Sequence, residues 1–357
     1  MNKCFATTLA VGCLLFLCLQ PAAAENSWEL VEETKGIRLY KKNMADSRYH
    51  AFKAVGEINA VMATVGEVLR DVSAYPEWMA TMKEARVLKQ YDADNMDVYL
   101  VMNIPFPFQD RDAVVKAKTS LDASTGEVTT RSEIIKNSAV PEKDGLVRLP
   151  GMAQTFQLVY KTYDTTEVTF TLHVETGGVL PVTAVNMVTQ SVPYKSLQNL
   201  RKMVREEKYR TASPFAASNI GITKGITSSI LRQHITDPDI IKMVISDRKL
   251  LEIAIRNGAA KEGLTATAGA IIKKYLQTPL YPTKIKDSAN QHLLARLATD
   301  QRLLDRVLAD HELAELVLRT GGMTDQVLTA LAVQTREALE TSSGDSAQLR
   351  RGGVSGI

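Results

Sequence analysis

Cysteine is missing from almost the whole chain. The three cysteines, Cys4, Cys13 and Cys18, all lie near the N terminus. The rest of the sequence therefore has no residue that can form a disulfide bond, act as a thiol nucleophile or bind a metal through sulfur. We expect the folded part of the protein to be stabilised by its hydrophobic core alone.

An excess of one charge and a long apolar run are also absent. The 43 Lys and Arg residues nearly balance the 40 Asp and Glu residues, and a net charge of +3 gives no reason to expect a nucleic-acid partner. The apolar run at residues 10–19 is shorter than the ~20 residues that a membrane-spanning helix needs.

That apolar run has the features of a secretory signal instead. It follows Lys3 and precedes a small-x-small sequence that ends at Ala24. We predict that residues 1–24 are a signal peptide cleaved after Ala24, and that the mature protein is periplasmic or secreted. The alternative is a lipoprotein acylated at Cys13 or Cys18, although Leu17 is bulkier than the residue that usually precedes such a cysteine.

Catalytic motifs are missing as well. The sequence has no Gly-x-Ser-x-Gly elbow, no P-loop and no Gly-x-Gly-x-x-Gly, and the zincin-like segment 311–315 lacks a second histidine. Asp110 and Asp112 flank Arg111, which favours the ionised form of both carboxylates. We therefore predict no catalytic residue, no metal site and no cofactor, and we interpret Asp110, Arg111 and Asp112 as a structural ion cluster that anchors a strand.

The first half of the chain has the pattern of an α+β domain. Segments of strand composition follow one another over residues 36–175 with short Gly/Asp turns, which is typical of an antiparallel meander. The clearest segment is 167–175, where Val168, Phe170 and Leu172 alternate with polar residues. One face of such a sheet is apolar and has to be covered.

Two helical patterns accompany these strands. Residues 61–71 place their valines on one helical face, and an apolar stripe over residues 185–204 predicts a long helix that covers the sheet. Because proline lacks an N–H group and clashes with the preceding turn, we expect a kink or a break at Pro193. A curved sheet around one long helix is a grip with its apolar side inward.

The second half is helical and contains an internal repeat. Residues 236–258 align without gaps with residues 299–321, an offset of 299 − 236 = 63. In each copy, two aspartates precede apolar helical patterns and can cap them, and a glycine follows the last helix. These residues are Asp237, Asp247 and Gly258 in one copy and Asp300, Asp310 and Gly321 in the other.

We predict four segments from these patterns. A signal peptide over residues 1–24 precedes an α+β grip over 25–210, an all-α repeat domain occupies 211–340, and a disordered tail occupies 341–357. A Ser/Ala/Gly-rich linker, residues 211–229, begins the repeat domain.

Six segments, taken in order, resemble the START domain, the lipid-transfer module related to steroidogenic acute regulatory protein. They span residues 28–209 and read WELVEETKGIRLYKK, FKAVGEI, VLRDVSAYPEWM, VYLVMNIPFPFQDRDAVV, GGVLPVTAVN and VPYKSLQNLRKMV. The resemblance implies a helix-grip fold with an internal tunnel for one hydrophobic molecule, and a C-terminal helix that acts as a lid. It does not extend to the helical half.

We expect apolar residues of the strands and of the long helix to line this tunnel, with plain core packing as the alternative for each. The predicted lining consists of Val115, Ala117, Phe156, Leu158, Phe170, Leu172, Val188 and Val192. Some sterol-binding START relatives carry an arginine on the strand that corresponds to 113–117, where this sequence has small residues. Arg131 or Glu133 on the next strand is the candidate polar anchor in its place, with a solvated position as the alternative for both. Phe106 and Phe108, stiffened by neighbouring prolines, are expected to plug the end of the sheet.

The last START helix carries a basic surface. Lys195, Arg201, Lys202 and Arg205 are candidates for transient contact with a membrane, since each cation near an anionic surface contributes about 1 kcal/mol. A solvated helix face is the alternative.

Three functions remain open from the sequence. The first is an exported lipid-binding or lipid-transfer protein whose ligand is a phospholipid, a fatty acid or a sterol. The second is a non-transferring interaction protein that binds a protein partner through residues 211–340, which a tunnel too small for an alkyl chain would favour. The third is a cyclase- or hydrolase-like enzyme, which a carboxylate or histidine of perturbed pKa inside the tunnel would favour.

Overall fold

The computed structural model describes residues 27–122, 125–136, 140–216, 219–258, 261–278, 288–309 and 311–351. The predicted signal peptide lies outside these residues. Within them, the chain forms a curved antiparallel sheet around a long helix and then a group of shorter helices, so the α+β helix-grip prediction is confirmed.

The sheet has ten strands in the described residues. They are β1 (Glu29–Thr34), β2 (Ile37–Lys42), β3 (Ala51–Ile58), β4 (Met82–Gln90), β5 (Asn95–Met102), β6 (Asp110–Asp122), β7 (Glu127–Ile134), β8 (Leu146–Arg148), β9 (Gly151–Thr162) and β10 (Thr165–Glu175). Their order is β1-β2-β3-β10-β9-β7-β6-β5-β4, with antiparallel neighbours, and β8 pairs in parallel with β6. The alternation predicted for β10 is confirmed, since Val168, Phe170 and Leu172 are all buried.

Four helices belong to the grip. They are α1 (Met62–Arg70), α2 (Tyr75–Trp78), α3 (Val182–Met203) and α4 (Glu207–Arg210). We expected a kink or a break at Pro193, and the structure shows no break, because α3 continues through the proline. Val192 and Leu197, on either side of it, are buried in the same core, and this packing holds both halves of the helix against the sheet.

Eight helices follow in the described residues. They are α5 (Ile220–Arg232), α6 (Pro238–Ser246), α7 (Arg248–Asn257), α8 (Lys261–Leu276), α9 (Ser288–Thr299), α10 (Gln301–Val307), α11 (His311–Thr320) and α12 (Asp325–Arg351). Each aligned sequence copy forms a helix pair, α6–α7 or α10–α11, and α8 packs against both α7 and α11. No helix among the described residues is long and apolar enough to cross a membrane.

The predicted helix caps are present where the structure describes them. The Asp237 carboxylate accepts from the N–H of Asp239, and the Asp247 carboxylate accepts from the N–H groups of Lys249 and Leu250. Asp300 likewise caps α10. Gly258 and Gly321 end their helices with φ of 64° and 78°, a conformation that favours glycine. Asp310 lies outside the described residues.

Two predicted irregular segments are helical instead. Most of the predicted linker forms α5, and the predicted disordered tail continues α12 as far as Arg351. Extending an existing helix avoids the cost of nucleation, which explains how α12 continues through a polar sequence. Residues 352–357 lie outside the described residues.

The helix α5 packs tightly on the grip. Gly126, in the turn between β6 and β7, has φ of 74°, and a Cβ atom at this position would lie 2.8 Å from the Cα atom of Ile226. Gly225 approaches Leu121 in a similar way. Ile226, Ile255 and neighbouring residues of the helical half are buried in the same hydrophobic cluster as the grip. The two halves therefore share a core.

Candidate ligand-binding cavities

A cavity of about 280 Å³ lies between the concave face of the sheet and the N-terminal half of α3. We call it the main cavity. Its lining is mostly apolar and includes flexible methionines, which adapt to ligands of irregular shape. These are Met79, Met82, Met102, Met152 and Met187. Met187 is 69% exposed, so the cavity reaches the surface beside it.

Arg111 is the charged residue in this lining. Its side chain is buried, and its guanidinium donates to two backbone carbonyls, those of Thr176 and Gln109. No carboxylate oxygen of the described residues forms an ion pair with it. Burial lowers the pKa of Arg111, yet an arginine remains charged in proteins. Asp110 is close enough to act on Arg111 electrostatically, but it pairs directly with Lys83. A buried cation with no direct ion-pair partner among the described residues therefore faces an apolar cavity.

The three residues of the predicted ion cluster, Asp110, Arg111 and Asp112, form no direct ion pairs with one another among the described residues, although Asp110 and Arg111 interact electrostatically. Strand alternation places Arg111 on the concave face of β6 and both aspartates on the convex face. Asp110 pairs with Lys83 at 2.7 Å. Asp112 accepts from Nε and Nη2 of Arg148 at 2.8 and 2.9 Å, which ties β8 to β6.

Asp112 is the most buried carboxylate of this region, with a side chain 1% exposed. The Tyr99 hydroxyl also donates to it, at 3.0 Å. Burial opposes ionisation, but the hydrogen bonds from Arg148 and Tyr99 outweigh it and hold the pKa of Asp112 below its usual value. Burial and the same hydrogen bond raise the pKa of Tyr99 to about 12.

A second cavity, of about 50 Å³, lies where the grip meets the helical half. We call it the junction chamber. Ala117 and Leu158 of the sheet line it on one side, and Ile222 and Ile226 of α5 line it on the other.

An aromatic layer separates the two cavities. The rings of Phe156 and Phe170 stack at 4.1 Å, and the buried Trp78 lies 5.9 Å from Phe156. Along β9, Gln154 lines the main cavity and Leu158 lines the junction chamber, with Phe156 between them on the same face. One layer of side chains thus divides the interior of the grip.

The structure distributes the predicted tunnel residues over three places. Leu172, Val188 and Val192 line the main cavity. Ala117 and Leu158 line the junction chamber. The remaining three, Val115, Phe156 and Phe170, belong to the buried core between the cavities.

Sequence reasoning missed Arg111 as a lining residue. The sequence contained a signal for this position, because strand alternation places Arg111 on the same face as Ala113 and Val115, the face that was predicted to line the tunnel. The alternative anchors, Arg131 and Glu133, are exposed.

Lys195, Arg201 and Lys202 lie on the C-terminal half of α3 and Arg205 follows the helix, whereas residues 184–192 line the main cavity. Arg201 donates to the backbone carbonyls of Lys35, Gly36 and Glu57 at 2.6, 3.0 and 3.0 Å, which ties α3 to the sheet. The other three, Lys195, Lys202 and Arg205, are exposed.

Two strongly exposed apolar residues adjoin lining residues of the main cavity, since Phe106 follows Pro105 and Val179 precedes Leu180. Phe106 and Val179 are each 96% exposed, and with Met187 they form what we call the mouth rim. The prediction that Phe106 plugs the sheet is therefore wrong. Phe108 is half-buried and lines the main cavity.

A curved antiparallel sheet that grips a long C-terminal helix and encloses an apolar cavity defines a helix-grip binding domain. The chain belongs to the START domain family, whose model matches residues 9–210, more than half of the sequence. The match ends where the helical half begins.

Several known proteins are similar to this chain over its START domain. An uncharacterized protein of Pseudomonas aeruginosa is 28% identical over 50% of this chain and 87% of its own length. The phosphatidylcholine transfer protein of Bos taurus is 24% identical over 51% of this chain and 90% of its own length. A crystal structure of a STAR-related lipid transfer protein from Xanthomonas axonopodis has 28% identity and a TM-score of 0.47, covering 50% of this chain and 99% of that one. Among these relatives, the Bos taurus protein is named as a lipid-transfer protein.

Proposed function

We propose that the protein is an exported carrier that holds one lipid with an anionic group in its main cavity and exchanges it at membrane surfaces. The observation that supports this most directly is the combination of an apolar cavity with the buried Arg111, which has no direct ion-pair partner among the described residues. A phosphate or a carboxylate at Arg111 would satisfy the cation while the acyl chain fills the cavity.

The energetics favour a filled cavity. An empty apolar void costs about 24 cal/mol per Å³, so 280 Å³ left dry would cost about 7 kcal/mol, comparable with the whole stability of a domain. Each methylene buried returns about 0.8 kcal/mol, so about nine methylenes offset that cost. The methylenes of a single acyl chain are therefore enough to offset the cost of the empty cavity.

The relatives are consistent with this ligand class. The Bos taurus relative is named for phosphatidylcholine, a lipid that contains a phosphate group. Export rests on the signal-like sequence of residues 1–24, and it would place the carrier in the periplasm or outside the cell.

The two alternative functions have less support. Apart from Arg111, the described residues that line the main cavity include no ionisable side chain, whereas acid–base catalysis needs a positioned proton donor or acceptor. An interaction protein with a closed tunnel would not retain an opening at Met187. The carrier is therefore the better-supported function.

Replacing Arg111 with methionine should remove the preference for an anionic group. Charge-assisted hydrogen bonds are worth about 1.5–3 kcal/mol, so the wild-type protein should bind oleate about tenfold or more tightly than oleyl alcohol. In R111M the two affinities should become similar. Titration calorimetry with both ligands measures the ratio. The matched control is Arg205→Met, which removes an exposed cation and should leave the ratio unchanged. A preference that persists in R111M would contradict the proposed head-group site.

Exchange requires the opening to meet a membrane, and the mouth rim is the surface that fits this role. Exposed apolar side chains gathered at one site mark a contact surface. Each large apolar residue gains about 1.5–3 kcal/mol by leaving water, more than the contribution of about 1 kcal/mol per surface cation. The mouth rim should therefore dominate docking over Lys195, Lys202 and Arg205.

The double substitution Phe106→Asp with Val179→Asp should lower the rate of lipid transfer between vesicles by about tenfold or more. The amount of lipid bound per chain should not change, because neither side chain fills the main cavity. A fluorescent-lipid transfer assay measures the rate, and Val333→Asp on α12 is the control with an equally drastic change at an exposed valine. Unchanged transfer by the double variant would rule out docking through the mouth rim.

A further inference from the structure

The junction chamber is built from both halves of the chain. Its walls come from the concave sheet face, from α1, and from α5 and α7 of the helical half. The Tyr160 hydroxyl, on the sheet, donates to the carbonyl of Ile255 on α7 at 2.7 Å and closes one side. The START domain alone does not form this chamber.

Most polar groups of the lining already have partners. The Tyr75 hydroxyl donates to the carbonyl of Leu69 at 2.7 Å. The Thr119 and Thr130 hydroxyls bond to each other at 3.0 Å. The Thr223 hydroxyl donates to the carbonyl of Pro214. These hydroxyl groups therefore do not need a ligand to complete their hydrogen bonds.

Asn219 is the exception. It lines the chamber and is 2% exposed, and its Oδ1 atom has no hydrogen-bond partner among the described residues. Its Nδ2 group donates to the carbonyl of Ser213 at 3.1 Å, which fixes the amide so that the oxygen is the atom left over. A buried acceptor without a donor is costly, so this atom calls for a hydrogen-bond donor that the described residues do not supply.

The size and lining of the chamber limit what can supply that donor. On the same volume measure one water needs about 10–15 Å³, so 50 Å³ admits about four non-hydrogen atoms. Most of the side chains that line the chamber are apolar, such as Leu158, Ile222 and Ile226. Its two charged lining residues are Arg70, which pairs with Glu67, and Asp94. A short aliphatic group that carries one hydroxyl fits both features.

We infer that the junction chamber is a second binding site, which takes an aliphatic hydroxyl group that donates to Oδ1 of Asn219. The hydroxyl has two possible sources. One is a separate small alcohol, and this source is independent of the proposed carrier function. The other is the hydroxylated end of a chain held in the main cavity, which would pass the Phe156–Phe170 layer, and this source rests on the carrier function.

The first experiment uses probes that fit the chamber. 2-Propanol and acetone share a carbon skeleton, but only 2-propanol donates a hydrogen bond. Full-length protein labelled at isoleucine methyl groups is titrated with each and followed by NMR at Ile222, Ile226 and Ile255. We expect saturable shifts, with 2-propanol binding about tenfold more tightly than acetone.

Two substitutions at Asn219 separate recognition from packing. Asn219→Leu keeps the approximate size and removes the acceptor, so the two probes should bind equally. Asn219→Asp retains an acceptor oxygen and should keep the preference for 2-propanol. Ala117→Trp, on the opposite wall, should abolish the shifts for both probes, and it tests the site even where a change at Asn219 disturbs the fold.

The second experiment identifies the source of the hydroxyl. Octadecanoic acid and 18-hydroxyoctadecanoic acid are compared by titration calorimetry in the wild type and in Asn219→Leu. A preference for the hydroxy acid that disappears in the variant supports a chain that reaches the chamber. Equal binding of the two acids, together with a 2-propanol preference, supports a separate small alcohol.

Two results would overturn the inference. In the first, the wild type binds 2-propanol and acetone equally well, and it also binds octadecanoic acid and 18-hydroxyoctadecanoic acid equally well. This result would mean that the chamber holds water only. The other is a hydroxyl preference that survives Asn219→Leu. Because the small-alcohol titration does not need a lipid in the main cavity, a failed carrier function and a failed junction site give different patterns.

Discussion

Replacing Arg148 with methionine should lower the free energy of unfolding by about 3–5 kcal/mol, the usual cost of leaving a buried charge without its partner. The Asp112 side chain is 1% exposed and receives two hydrogen bonds from Arg148. The Tyr99 hydroxyl would be the one donor left to it. Denaturant unfolding of the wild type and of R148M measures the difference.

Two further variants test whether the unpaired charge of Asp112 causes the loss of stability in R148M. Lys41→Met breaks an exposed pair with Glu29 between β2 and β1 and should cost no more than about 0.5 kcal/mol. The double variant R148M with Asp112→Asn should be more stable than R148M alone, because an amide does not leave a buried charge. A loss of less than about 1 kcal/mol in R148M would show that the pair is not important for stability.

The difference in unfolding free energy between the wild type and R148M should also depend on pH. The lowered pKa of Asp112 means that the pair stabilises the wild type above the unfolded pKa of about 3.9, and that this stabilisation is lost as the pH falls through the folded pKa. In R148M, burial without the arginine should raise the pKa, so protonation of Asp112 relieves the unpaired charge. The stability difference should therefore be greatest at neutral pH and shrink on acidification.

Replacing Leu172 with tryptophan should lower lipid affinity by more than tenfold. Leu172 is buried on β10 and lines the main cavity. Tryptophan adds six non-hydrogen atoms, and displacing only two methylenes of the ligand costs about 1.6 kcal/mol. Binding of oleate, measured by titration calorimetry, tests this expectation.

The same substitution should have the opposite effect on the lipid-free protein. Filling part of an empty apolar cavity recovers about 24 cal/mol per Å³, so the unfolding free energy of the lipid-free variant should stay the same or rise. Leu88→Trp, on the convex side of the sheet, is the control for an identical change away from the cavity. If L172W binds oleate as well as the wild type does, the main cavity is not the lipid site.

The grip could be predicted from the sequence because its signals are local. The alternation of β10 and the apolar stripe of α3 each depend on residues close together in the chain. The convex position of Asp112 could have been deduced in the same way. Its partner Arg148 could not, because it lies 36 residues further along the chain.

The role of α5 shows where sequence reasoning fails. Its Ser-, Thr- and Gly-rich sequence has the composition of a linker, and its helix is stabilised by packing of Ile226 and Ile230 into the core of the grip. Gly225 reads as a breaker in the sequence, although in the structure it allows α5 to approach Leu121 closely. The junction chamber depends on this placement, so no local pattern could have revealed it.

The central claim is that the START domain of this protein carries a lipid in its main cavity. The most direct measurement is native mass spectrometry of the mature protein purified from the cells that produce it, followed by organic extraction. We expect one lipid with a phosphate or a carboxylate group per chain, released on extraction. A protein of bare chain mass that also takes up no lipid from added phospholipid vesicles would contradict the claim.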